Sequence, residues 1–214
     1  GAAASGRVVE VAAALPMNEW RVWADEATNY WSMSPSGAVA SNASFSATMN
    51  AILNGDSSDG VVITLGNCTM EGGDIGLFAT FEVDAPIIPA ETTGSECMHI
   101  RGNGGTQVSV ADGYEGELFV FGTATNGMKG QIRLSSMNIT GGTTGNYNTE
   151  NTNAFLNFAN ANDIDVSDCY FSGLKGPAIS VGTQLAGGQK NVSIHDNWFY
   201  SSRYTHPFVH FSVP

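Results

Sequence analysis

Three stretches of this chain can be laid over one another: Ile132–Ile139, Ile164–Phe171 and Val192–Phe199. Each carries an apolar residue at its first, third and last positions, with small or polar residues between them. A second set of short apolar segments alternates with these three: Phe119–Thr123, Leu156–Phe158, Ile179–Thr183 and Val209–Phe211. Short strands recurring at about thirty residues, joined by Gly, Asn, Asp and Ser turns, are the signature of a stacked-coil solenoid.

The overlay makes specific claims about packing. Parallel strands stack about 4.8 Å apart, so inward side chains of successive rungs pile into columns. The predicted columns are Ile132/Ile164/Val192, Leu134/Val166/Ile194 and Ile139/Phe171/Phe199. The outward ladders are Arg133/Asp165/Ser193 and Ser135/Ser167/His195, which makes Arg133 and Asp165 an exposed ion pair. Val61–Leu65 and Met98–Ile100 supply two earlier rungs. Rungs then begin near residues 61, 98, 132, 164 and 192, and their spacing tightens from 37 to 28 residues. Longer early repeats imply loops protruding from the N-terminal half. Gly141–Asn153, whose one charged side chain is Glu150, reads as a surface loop.

Upstream, Ser44–Leu53 predicts a short amphipathic helix. Asn42 or Ser44 can cap it, Phe45, Met49, Ile52 and Leu53 form its apolar stripe, and Asn54-Gly55-Asp56 ends it. A lone helix before a run of strands can cover the open end of a solenoid. Residues 1–40 lack the repeat and read as an N-terminal extension or cap, with a strand over Arg7–Val11. Their aromatic cluster, Trp20, Trp23, Tyr30 and Trp31, suits a hydrophobic lid on the core, with a sugar-stacking surface as the alternative. The repeat domain is assigned to residues 41–214.

Composition fits many short strands. Apolar residues make up 42% of the 214, enough for one substantial core. Charged residues are only 13%, about half the usual share. The net charge of −12 disfavours nucleic acid and anionic membranes as partners. It disfavours a polyanionic sugar chain too, unless a cation such as Ca²⁺ bridges the two. The sequence has no apolar run long enough to cross a membrane.

Three cysteines leave an odd thiol. Cys169 shares a repeat column with Met137 and Asn197 and reads as a packing residue, while Cys68 and Cys97 are candidates for a disulfide. No CxxC or Cys/His cluster suggests zinc, although three His within sixteen residues, His195, His206 and His210, could bind a metal or titrate near pH 6. Asn-x-Ser/Thr sequons occur at Asn42, Asn67, Asn138 and Asn191. Four is close to the chance expectation for 18 Asn, so they permit N-glycosylation without showing it. The small-residue stretch Gly1–Gly6 fits either the remnant of a cleaved signal peptide or a boundary of the expressed segment. Composition favours secretion.

Over roughly residues 42–214 the pattern resembles the right-handed parallel β-helix of the pectate-lyase-like superfamily. Ser46–Leu53 followed by Gly60–Ile63 looks like the capping helix and first strand of such domains, and Asn191–Phe199 looks like a typical rung and turn. The resemblance implies an all-β, right-handed parallel β-helix with a short N-terminal capping helix. It says little about activity, because the superfamily includes lyases, hydrolases, tailspikes, adhesins and structural proteins.

A Ca²⁺-dependent lyase of this kind needs clustered carboxylates and a base to remove a proton α to a uronate carboxyl. The candidates are Asp168 and Asp196, stacked in register at one turn, with Arg203 downstream and Asp163 and Asp165 nearby. The competing reading makes Asp168 and Asp196 turn residues. The Asp-Asp, Gly-His-Gly and Arg-Ile-Lys motifs of the hydrolase branch are missing. His195, His206 and His210 lie close in sequence, but no acidic partner is fixed for them by spacing.

The sequence closes on Phe208–Pro214, inside a predicted rung. An apolar open edge invites pairing. Truncation, an unseen cap or the next subunit would each explain it, and the last gives a head-to-tail contact that propagates as a filament. The expected edge residues are Val209, Phe211 and Val213, with Val9 and Val11 as the mating strand. The leading expectation is therefore a secreted structural or adhesive protein that self-associates end to end without a cofactor. A Ca²⁺-dependent polysaccharide lyase and a non-catalytic glycan-binding spike are the alternatives.

Overall fold

The computed structural model describes residues 19–25, 29–55, 60–66, 80–89, 97–103, 105–122, 127–141, 154–173, 176–182, 191–200 and 207–211. These residues are mostly β, with one short helix, and the strands fall into three sheets. The longest sheet has eight strands: β1 (Glu19–Ala24), β2 (Tyr30–Met33), β3 (Val39–Asn42), β4 (Val61–Leu65), β6 (Met98–Gly102), β9 (Met128–Ser135), β12 (Ala161–Ser167) and β15 (Asn191–His195). Its order is β15-β12-β9-β6-β4-β1-β2-β3. All neighbours run parallel except β1–β2 and β2–β3. The second sheet stacks β16 (Trp198–Tyr200), β13 (Tyr170–Ser172), β10 (Asn138–Thr140), β7 (Gln107–Val110) and β5 (Thr80–Val83). The third stacks β17 (Val209–Phe211), β14 (Ile179–Val181), β11 (Leu156–Phe158) and β8 (Phe119–Val120). Both are parallel throughout.

The registers are those of the overlay. Ile132 pairs with Ile164 and Ile164 with Val192, while Leu134, Val166 and Ile194 share the next inward row. That row continues to Ile100 and Ile63. In the five-stranded sheet Phe81, Val108, Ile139, Phe171 and Phe199 form one inward row. In the four-stranded sheet Phe119, Leu156, Ile179 and Val209 form another. Apolar residues from all three sheets join one continuous buried cluster. Aromatic rings stack along it: Phe171 lies 5.1 Å from Phe199 at 7°, and Phe121 lies 4.9 Å from Phe158 at 12°. Near-parallel rings at these distances follow directly from strands in register.

The turn between the first two sheets repeats one conformation. Ser136, Asp168 and Asp196 occupy the same place in three successive turns, with φ of 59°, 53° and 54°. Asp adopts this left-handed region more readily than branched or bulky residues. The next residue points inward. Met137 and Cys169 are buried, and Asn197 uses its side chain on the preceding turn. Its Nδ2 donates to the Val166 carbonyl at 2.8 Å and its Oδ1 accepts from the Cys169 N–H at 2.9 Å. A polar residue is thereby accommodated in the Cys169 column.

The helix α1 runs Phe45–Gly55 and packs against β2, β3 and β5. Ser44 caps it, its Oγ accepting from Ala47 N–H at 3.1 Å, while Asn42 Oδ1 accepts from Ser44 N–H at 2.9 Å. Tyr30 and Trp23 of the aromatic cluster are buried; the Tyr30 ring packs on Phe45 and Phe81. These residues do more than form a lid, because β1 pairs parallel with β4 (Glu19↔Val62, Trp20↔Ile63). Strands β1–β3 were not anticipated from the sequence; the strand expected over Arg7–Val11 lies outside the described residues. Among the described residues no helix is long and apolar enough to cross a membrane.

Candidate functional site

Outward side chains of the long sheet are polar, Val62 apart, where β1, β4, β6 and β9 adjoin. Register places Arg21, Thr64, Arg101 and Ser135 in one outward row, and Glu19, Val62, His99 and Arg133 in the next. They surround a groove of about 510 Å³, lined by Glu19, Arg21, Thr64, His99, Arg101 and Ser135 among others. Gly102 at its wall is close to the following turn, where a Cβ would collide with the Ser136 carbonyl oxygen.

The groove is held by a small network. The Thr64 hydroxyl donates to Glu19 Oε1 at 2.8 Å and accepts from Arg101 Nε at 2.9 Å. Arg101 Nη2 stands 3.3 Å from the same carboxylate oxygen, whose side chain is only 5% exposed. A buried carboxylate is tolerable here because it is paired and hydrogen-bonded. Arg21 Nε, by contrast, is buried without a hydrogen-bond partner among the described residues. The groove therefore carries two guanidiniums and one carboxylate, with Arg101 already paired to Glu19.

His99 and His195 stand on the same sheet face in opposite environments. His99 Nε2 shares a hydrogen bond with the Ser135 hydroxyl at 2.9 Å. Burial, reinforced by the charges of Arg133 and Arg101, lowers its pKa from the ordinary value. His195 is exposed, with Nδ1 2.9 Å from Asp196 Oδ2 and Nε2 3.3 Å from Asp165 Oδ1, the latter off the hydrogen-bond axis. The Asp196 bond above all, with Asp165 adding, raises its pKa. Arg133 Nε closes the row on Asp165 Oδ2 at 3.1 Å, the pair expected from the ladder.

A proton NMR titration should therefore show His195 titrating above the ordinary histidine midpoint and His99 below it. The signs oppose each other. The stabilising contribution of His195 is present at low pH and lost as pH rises through its raised pKa. That of His99 is present at high pH and lost as pH falls through its lowered pKa. Coincident midpoints would contradict these placements.

The sequence-derived candidates are distributed differently. Asp168 and Asp196 are exposed at equivalent turn positions, one and two turns beyond Ser136 at the groove wall. Their conformation is that of turn residues, and Asp196 is engaged by His195. Arg203, His206, Asn67, Cys68, Val9, Val11 and Val213 lie outside the described residues, as do residues 142–153. Asn42, Asn138 and Asn191 are exposed. Cys97 is exposed, with its thiol 3.6 Å from Gln131 Oε1. Among the described residues no cluster of three His, Cys, Asp or Glu could hold a metal ion. The groove itself was missed, although its signal was present. Extending the outward ladder of Ser135 back through the two earlier rungs reaches Arg101 and Thr64.

The third feature is an edge. Among the described residues all three sheets end on β15, β16 and β17. Val192, Ile194, Phe199 and Val209 there are only partly buried, although their row-mates one strand inward are fully buried. Phe211 is 52% exposed. At the other end of the long sheet, β3 is exposed along its length. It runs in the same direction as β15, because two antiparallel pairings separate it from the parallel set.

No protein-family model, curated protein or solved structure matches this chain.

Proposed function

We propose that this chain is a right-handed parallel β-helix, similar to the pectate-lyase-like superfamily, serving as a secreted structural or adhesive protein. Its copies associate end to end through the edge formed by β15, β16 and β17. The repeated order of three parallel sheets around one core supports the fold. The observation that carries the function is the common edge: among the described residues the three sheets end on β15, β16 and β17, with their apolar rows only partly buried there. Such a surface presents unpaired backbone donors and acceptors beside apolar side chains, and it is stable when further strands of matching spacing cover it. Strand β3 of a neighbouring copy offers a parallel mate for β15, which makes the contact heterologous and self-propagating.

Electron microscopy of the native protein at neutral pH tests this. The expected result is filaments whose axial repeat is a multiple of about 4.8 Å. Dispersed compact particles at all accessible concentrations would overturn it, including the case where a longer natural chain covers the edge by itself.

The groove favours a second reading, an enzyme acting on an extracellular uronate polysaccharide. Arg21 and Arg101 would hold a uronate carboxylate, and His99, neutral at ordinary pH, would take the proton α to it. The glycosidic oxygen at the β carbon then leaves, acquiring a proton from water, and a carbon–carbon double bond remains. Ultraviolet absorbance of unsaturated products reads this directly. Loss of product in Arg21→Ala with Asp168→Asn still active would place the chemistry in the groove. Loss with chelator and in Asp168→Asn or Asp196→Asn would place it at the acidic turns with Ca²⁺.

A further inference from the structure

The outward face of the five-stranded sheet differs in kind from the groove. Register puts Gln107, Asn138, Tyr170 and Trp198 in one outward row. Thr140, Ser172 and Tyr200 lie in the adjacent row. Trp198 is 68% exposed, Tyr200 58% and Tyr170 37%. On the same strands Phe171 and Phe199 point inward and stack on each other. The alternation is that of a half-buried sheet, but large rings occupy positions where small polar residues would cost less in exposed apolar area.

From this we infer that Tyr170, Trp198 and Tyr200 form a binding platform for a neutral polysaccharide chain. Three observations select that occupant. The rings are amphipathic, each carrying an N–H or O–H at its edge; their nearer row-mates Asn138, Thr140 and Ser172 offer amide and hydroxyl groups, while the carboxylates at hand, Glu82 in the Tyr200 row and Asp168 and Asp196 at the preceding turns, disfavour an anionic chain. Sugar rings present C–H faces to aromatic planes and hydroxyls to such neighbours. Strands in parallel register hold Tyr170 and Trp198 about 4.8 Å apart at their backbones, so the two rings occupy neighbouring places on one sheet face. Finally, the rings project across the direction in which strands are added. The platform is complete within one copy, so the site does not depend on end-to-end assembly.

The test uses the full chain produced without N-glycosylation, titrated with cellohexaose, laminarihexaose and mannohexaose, with an oligogalacturonate as anionic control. Tryptophan fluorescence reports binding, because Trp198 is far more exposed than Trp23. At least one neutral hexasaccharide should shift the emission. Trp198→Ala should weaken that binding at least tenfold, and Tyr170→Ala and Tyr200→Ala severalfold each, with circular dichroism unchanged. Three results would overturn the proposal. One is that no neutral saccharide binds at millimolar concentration. The second is that Trp198→Ala binds as well as wild type. The third is that Trp198→Ala abolishes self-association while wild type binds no saccharide, which would make a second copy the occupant. A glycosylated preparation in which an N-glycan on Asn138 shields Trp198, with no free saccharide bound after Asn138→Gln, would also overturn it, by making the protein's own glycan the occupant.

Discussion

Val209→Lys and Phe211→Lys should each abolish end-to-end assembly while leaving the monomer's circular dichroism and thermal midpoint close to wild type. Val209 pairs with Ile179 on one side and has no strand on the other among the described residues. In the monomer a lysine there can lay its methylene stem along the apolar row and carry its ammonium into water. Between two stacked copies the same ammonium would be enclosed among Ile179, Phe199 and their counterparts without a partner. Removing an unpaired charge from water costs several kcal/mol, more than one residue's packing can return. Phe211, already half exposed, has little to lose in the monomer. Phe211→Leu keeps the apolar surface and should keep assembly. Sedimentation velocity distinguishes the outcomes, and a Lys variant that still forms filaments would remove this edge from the contact.

The second large effect is expected from Phe171→Ala, at about 3–5 kcal/mol of lost stability. Phe171 is fully buried in the middle of the inward row of the five-stranded sheet. Ile139 and Phe199 are held at fixed strand spacing on either side of it, so neither can move in to fill the cavity. At roughly 2–4 °C per kcal/mol for a chain of this length, the midpoint falls by on the order of 10 °C. Phe199→Ala removes the same ring from the half-open end of the row and should cost roughly half as much in the monomer. Assembly should restore the difference, because a second copy would bury Phe199. Equal costs in the monomer would mean that the edge is already covered. Calorimetry at low and high protein concentration measures both.

Much of this architecture is legible in the sequence, for a definite physical reason. Parallel strands in register force like residues into like places, so Ile139, Phe171 and Phe199 can be aligned before any coordinates exist. The Arg133–Asp165 pair follows from the same alignment. The legible part stops where packing no longer repeats. Strands β1–β3 carry Trp20, Trp23, Tyr30 and Trp31 at the end of the stack, where rings fill an irregular boundary and no neighbouring repeat advertises the pairing. The groove was harder still. Thr64 and Arg101 share the ladder of β4 and β6, but Glu19 and Arg21 reach them only because β1 joins β4. The acid partners of His195 depend on the left-handed turn at Asp196 and on a strand neighbour thirty residues away. Spacing along the chain cannot express either.

The recurrent turn has a consequence for how such a molecule can change over generations. Ser136, Asp168 and Asp196 share one backbone conformation but not one side chain, and all three are exposed. Asn or Gly would satisfy the same φ. The line these residues trace is therefore a stretch of surface whose charge can be rewritten tier by tier while the scaffold beneath stays the same. Selection can tune what the exterior attracts or repels there without reopening the problem of folding.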